Sequence, residues 1–239
     1  MADAAAPTNS APLAGFTDGQ LEALKWIALA SMFLDHVGRL VLGYGQHTWV
    51  FALGRIAFPL FALVLALNLA REGDRAGRAL RTARRLALWC AIAIVPSVLA
   101  RGEPYLLNVL GTLALGAMLC WVFTADVRPN LRAGVFAFAA VGCWFVEFEV
   151  GGVFLVPAIF LWRTRGLREA GALAAVLLLL VGWLNGYFGG WPAFAGTMSA
   201  AAIALLVRQW PVRMPRLKAA FYVIYPLHLA LIAAWKTWS

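Results

Sequence analysis

Residues 49–70 read WVFALGRIAFPLFALVLALNLA, and REGDRAGRALRTARR follows at once over 71–85. The first stretch holds one charged residue, Arg55, in a run long enough to cross a bilayer as a helix, which takes about 20 apolar residues. Helices satisfy their own backbone hydrogen bonds, as the hydrocarbon interior requires. Working outward, further apolar runs fall at 21–43, 86–100, 105–124, 133–148, 152–162, 170–188, 191–207 and 219–238. The pattern predicts an all-α integral membrane protein, a polytopic helical bundle of about nine transmembrane helices, with eight or ten also open. Run 152–162 is short and must borrow flanking residues to span.

Composition agrees. The chain has 239 residues, 63% hydrophobic and 13% charged, with mean hydropathy +0.79. A soluble domain carries charge on about a quarter of its residues. The net charge of +9 does not point to nucleic acid, because the basic residues sit in short clusters between apolar runs. Arg71, Arg75, Arg78, Arg81, Arg84 and Arg85 follow the second run, Arg128 and Arg132 the fourth, Arg163, Arg165 and Arg168 the sixth, and Arg208, Arg213, Arg216 and Lys218 the eighth. The intervening loops hold almost none beyond Arg101. By the positive-inside rule the even-numbered loops and the N-terminus are cytoplasmic, and the C-terminus lies outside. Residues 1–18, rich in Ala, Pro and Ser and lacking a signal-peptide pattern, read as a flexible tail, and 19–239 as a single transmembrane domain. Cys90, Cys120 and Cys143 lie within apolar runs and read as small buried hydrophobes rather than disulfides or metal ligands.

Ionisable residues inside a span are costly, about 3 kcal/mol on insertion scales, so each calls for a role. On the orientation above, Asp35, His36, Arg39, Arg55 and Asn108 fall in the outer halves of their helices, with Glu147 and Glu149 ending the fifth run near the same face. Asp35 with Arg39 and His36 with Arg39 have helical spacings, giving either a structural ion pair beside a histidine or a carboxylate-supported general base. In the last run Tyr225 and His228 are i,i+3 neighbours, and Pro226 frees a backbone carbonyl, so packing and catalysis are both open. Arg78, Arg81 and Arg85 form a stripe suited either to anchoring on anionic lipid or to holding phosphates.

Several segments together resemble the TraX family, membrane proteins named for the conjugative F-pilin N-acetylase. They are LKWIALASMFLDHVGRL (24–40), GRIAFPLFALVLA (54–66), RTARRLALW (81–89), NVLGTLALG (108–116) and YPLHLALI (225–232), in family order over most of the chain. VEFEVGGVFLVP (146–157) is similar to the family's acidic segment, with Glu147 where an Asp followed by an aromatic residue is more familiar. The resemblance implies an acetyl-CoA-dependent acyltransferase of the bacterial inner membrane, with no metal. Arg78, Arg81, Arg84 and Arg85 would bind the cofactor's nucleotide end. His36, supported by Asp35, would deprotonate an acceptor amine or hydroxyl, with Arg55, Asn108, Tyr225, His228 and Glu147 around the acetyl group. The acceptor is open between a pilin-like protein, an exported glycan and a small amine. A proton-coupled or small-solute transporter and a membrane assembly factor are the competing classes.

Overall fold

The computed structural model describes residues 15–215 and 220–238, an all-α fold in which Leu107 and Val146 form an isolated bridge. Most of the N-terminal tail, and Arg216 and Lys218 of the last basic cluster, lie outside the described residues. Helix α1 spans Asp18–Leu40, α2 Trp49–Gly54, α3 Ala57–Leu69, α4 Arg75–Arg101, α5 Val109–Thr124, α6 Pro129–Gly142, α7 Glu149–Arg165, α8 Arg168–Gln209 and α9 Ala220–Trp238. Every apolar run is helical over most of its described length. Four stretches are long and apolar enough to cross a membrane: 49–69, 75–101, 168–209 and 220–238. Helix α1 has the length, but Asp18, Glu22, Lys25, Asp35 and Arg39 interrupt it, and α5, α6 and α7 are shorter. A multi-pass membrane protein is therefore established at the level of its long apolar helices.

Local signals set the boundaries. A capping box starts α1: Gln20 N donates to Thr17 Oγ1 (3.2 Å) and Thr17 N to Gln20 Oε1 (2.7 Å). Helix α8 is broken at Gly190 (φ 69°, ψ −168°), where Gly-Gly-Trp-Pro interrupts the run, and its halves fold back as a hairpin joined by Asn185 Nδ2 donating to Thr197 Oγ1 at 2.9 Å. Run 133–148 does not stay helical to its end: α6 stops at Gly142, a 3₁₀ turn covers Cys143–Phe145, and Leu107 N draws the chain aside by donating to Phe145 O at 2.7 Å. Phe148 (φ 63°) and Glu149 (φ 47°) then take left-handed conformations that cost about 1–3 kcal/mol each in a non-glycine residue. Stacking of Phe148 on Phe58, centroids 4.0 Å apart, holds the turn.

Burial separates central from peripheral helices. In 49–69, 72% of the spanning window is buried, against 33% for 75–101. The apolar residues that α4, α8 and α9 leave outside, such as Leu88, Val95, Leu179 and Leu231, suit contact with lipid. Facing inward, α4 presents Ala79, Ala83, Leu86, Cys90, Ala93, Ser97 and Ala100 at alternating spacings of four and three, a narrow seam of mostly small residues. This seam brings α5 and α9 close to α4.

The basic loops share ends with their expected neighbours. Arg71, in the α3–α4 turn, pairs with Asp18 at the start of α1, and Gln20 Nε2 donates to the carbonyls of Arg208 and Trp210 beyond α8 (both 2.8 Å). Asp74 caps α4 by accepting from Gly77 N at 2.7 Å, and this bond, with Arg81 beside it, holds its carboxyl below the usual carboxylate range. A depressed pKa means the cap contributes above the ordinary carboxylate pKa and is lost as pH falls through the lowered value. Hydrogen exchange at the Gly77 amide is expected to accelerate there in the wild type but not in Asp74→Asn, which caps without titrating. Equal pH dependence in both would exclude the carboxylate as the cause.

Candidate functional site

At the end of the bundle away from the basic loops, α1 brings Asp35 against the α2–α3 junction. Asp35 is 3% exposed; Arg55 Nη2 donates to its Oδ2 at 2.5 Å, and Arg39 Nη1 lies 3.9 Å from the same oxygen. Both guanidiniums sit over the Phe51 ring, at 4.1 Å for Arg55 and 5.2 Å for Arg39. Gly54 makes the approach possible, since a Cβ there would fall on the Asp35 side chain. The spacing of Asp35 and Arg39 thus gave a real pair, but its stronger partner is Arg55, 20 residues away.

His36 is placed otherwise than expected. Successive helical residues point about 100° apart, so His36 turns away from Asp35 and meets His228 on α9. His36 Nδ1 lies 2.7 Å from His228 Nε2, with the rings 10° from parallel, and His228 Nδ1 lies 3.1 Å from Ile224 O. A carbonyl only accepts, so the Ile224 bond requires the proton on His228 Nδ1. His228 Nε2 is then an acceptor, His36 Nδ1 carries the proton between them, and a lone pair is left on His36 Nε2. The carboxylate support expected for His36 is a histidine instead. Phe33 and Tyr225 flank His228, centroids 4.5 and 5.4 Å away.

Asn108 caps α5 rather than lying inside a span. Its Oδ1 accepts from Leu110 N and its Nδ2 donates to Cys90 O, both at 3.1 Å, so its amide already serves the fold. Glu147, in the turn before α7, pairs with Arg101 at the end of α4, and its carbonyl accepts from Thr112 Oγ1 at 2.6 Å. Arg101 was counted in the sequence only as an exception to the loop bias. An arginine in a loop on the side where loops carry few basic residues is itself a signal of a charged partner.

From the basic end a cavity of about 420 Å³ enters between α1, α3, α4, α5 and α9. Lys25, Arg71, Arg78 and Arg85 stand around its mouth, its body is apolar, and Tyr225 lines it together with Val109 and Leu110. Of the expected stripe, Arg78 and Arg85 line the cavity. Arg78 also donates to the carbonyls of Arg71 (2.6 Å) and Glu72 (2.8 Å), closing the α3–α4 turn. Arg81 pairs with Asp74 at 3.3 Å in solvent, and neither it nor Arg84 lines the cavity, since a stripe spaced three and four apart also winds off one face. Lys25, Arg71 and Tyr222, the last under Arg85 at 5.7 Å, join Arg78 and Arg85 there, a set that the sequence does not assign to the cofactor because only the fold brings α1 and α9 to the start of α4.

One tyrosine ring therefore stands between a cationic-mouthed, apolar cavity and a tautomer-defined histidine pair. Such an arrangement can hold a long, phosphate-bearing molecule and offer a proton acceptor near its inner end.

The sequence model of a family described as TraX protein matches residues 20–235. Protein TraX of Escherichia coli is 31% identical over 225 residues, covering 91% of this chain and 87% of the relative. Protein TraX of Escherichia coli strain K12 is 29% identical over 231 residues, with the same coverage. No solved structure matches.

Proposed function

Because the chain belongs to the TraX family, we propose that it is an acetyltransferase of the bacterial inner membrane with about nine spans that takes acetyl from cytoplasmic acetyl-CoA. The observation that carries this reading is the cavity running from Lys25, Arg71 and Arg85 to Tyr225, with His228 on the other side of that ring. The cofactor's phosphates suit the basic mouth, and its pantetheine arm suits the apolar body. The thioester then lies by Tyr225. His36 acts as general base through Nε2, with His228 fixing its tautomer. The acceptor's nitrogen or oxygen bonds to the acetyl carbon while its proton passes to His36; the carbon–sulfur bond then breaks, and the thiolate takes that proton. Asp35, Arg39 and Arg55 position α1 against α2 and α3. The family points to a pilin-like N-terminus as acceptor, reached from the membrane or periplasmic side, and an exported glycan fits the same geometry.

Binding of coenzyme A to purified protein, with transfer of radiolabelled acetyl in membranes, tests this. Losing one hydrogen bond to a charged group costs about 1.5–3 kcal/mol, roughly 10- to 100-fold in affinity. Arg85→Ala is therefore expected to weaken coenzyme A binding by about that factor, with a much smaller loss for Arg84→Ala. A wild-type protein that neither binds coenzyme A nor transfers label, while driving solute flux without a donor, would make transport the better reading.

A further inference from the structure

The Arg101 guanidinium is held but not satisfied. Its side chain is 13% exposed and Nη1 is committed to Glu147, while Nε and Nη2 are buried without a hydrogen-bond partner among the described residues. Those two N–H groups share one edge of the guanidinium, the fork that grips anionic oxygen. Buried charged donors left unmade are rare in folded proteins, because desolvating them is costly. The partner of Arg101, Glu147, is held by Thr112 in the first turn of α5, next to Val109 and Leu110, which line the cavity with Tyr225, and the Tyr225 ring meets His228, the neighbour of His36. The base and the empty fork thus belong to one neighbourhood.

Resting on the acetyl-transfer reading above, we infer that Arg101 is a catalytic residue whose Nε–H and Nη2–H donate to the acetyl carbonyl oxygen as it becomes the oxyanion of the tetrahedral adduct. Attack forms the bond from acceptor to carbonyl carbon, and the carbonyl's π electrons move to that oxygen, where the fork receives the charge. Collapse restores the carbonyl and expels the thiolate, which takes the acceptor's proton from His36. Preorganised donors of this kind act where charge develops and need no rearrangement at the moment of reaction. The surroundings suit that demand. Gly102, left-handed at φ 77°, ends α4 directly after Arg101, and Lys236 Nζ donates to Ala100 O at 2.6 Å, fixing the helix end. Glu147, seated by Thr112 and the left-handed turn after it, neutralises the guanidinium and leaves the fork edge open. A plain clip between α4 and the turn before α7 would need only the Glu147 bond.

The experiment compares label transfer from radiolabelled acetyl-CoA into acid-precipitable membrane protein for wild type, Arg101→Lys and the double variant Arg101→Met with Glu147→Met. Binding of coenzyme A and thermal melting are measured on each. Lysine keeps the charge beside Glu147 but lacks the fork, so kcat should fall on the order of 10²–10³-fold while KM for acetyl-CoA and melting stay near wild type. The double variant removes the pair without leaving a lone charge, so it should fold, bind coenzyme A and remain equally slow. Wild-type kcat in either variant overturns the assignment. A wild-type protein that binds coenzyme A but moves no label from acetyl-CoA removes the acetyl-transfer reading itself, a result distinct from a defect confined to the variants.

Discussion

His36→Ala is expected to lower acetyl transfer by roughly 10²–10⁴-fold, the usual contribution of a positioned general base, while coenzyme A binding changes little. Binding is spared because His36 does not line the cavity where Lys25, Arg71 and Arg85 stand. His228→Ala should cost less, since the base remains and loses only the neighbour that fixes its proton on Nδ1. His228→Gln separates orientation from packing. Its amide oxygen can accept from His36 Nδ1, so it should recover part of the loss. The measurement is single-turnover transfer of labelled acetyl at several pH values. A His36→Ala protein with wild-type single-turnover rate would exclude His36 as the base, and a His228→Gln protein no better than alanine would exclude the tautomer argument.

The second large effect concerns folding. Asp35→Ala leaves Arg55 buried without its counter-charge, and breaking a buried pair from one side costs about 3–5 kcal/mol. The expected result is a marked fall in melting temperature in detergent. Asp35→Ala combined with Arg55→Met removes both charges and should restore most of the loss. The two single costs are strongly coupled if the pair is buried as described, so a double variant as unstable as the sum of the singles would refute that coupling. Transfer activity in the restored double variant would mark Asp35 and Arg55 as positioning residues, whereas inactivity despite a normal melt would move them into the chemistry.

The helices were legible because apolar runs between arginine clusters leave a membrane chain few options, and Gly189-Gly190-Trp191-Pro192 announced the break in α8. Spacing within one helix was legible too, as the Asp35–Arg39 approach illustrates. What escaped was long-range pairing. His36 and His228 stand 192 residues apart, and no periodicity relates them. Arg55 outcompeted Arg39 for Asp35 because Gly54 removes a side chain from the contact, a packing fact without a local signature. Asn108 was read as a polar group inside a span, whereas its capping role depends on α5 starting one residue later. The basic stripe was half right, since neighbouring arginines diverge as the helix turns and only Arg78 and Arg85 face inward.

The hairpin in α8 carries a consequence for how the chain is made. Its second half packs Ala200, Ala204 and Val207 against Leu21, Leu24 and Ala28 of α1, and Gly196 meets the backbone of Ala52 so closely that a Cβ there would clash. Helix α1 thus gains this cover only after α2 to α7 and the first half of α8 have been synthesised. Until then its buried face, with Gln20 waiting for the carbonyls of Arg208 and Trp210, rests on lipid or on whatever escorts the nascent chain. A ribosome that stalls before the Gly190 turn therefore releases a chain whose α1 face, at Leu21, Leu24 and Ala28, lacks the helix that covers it.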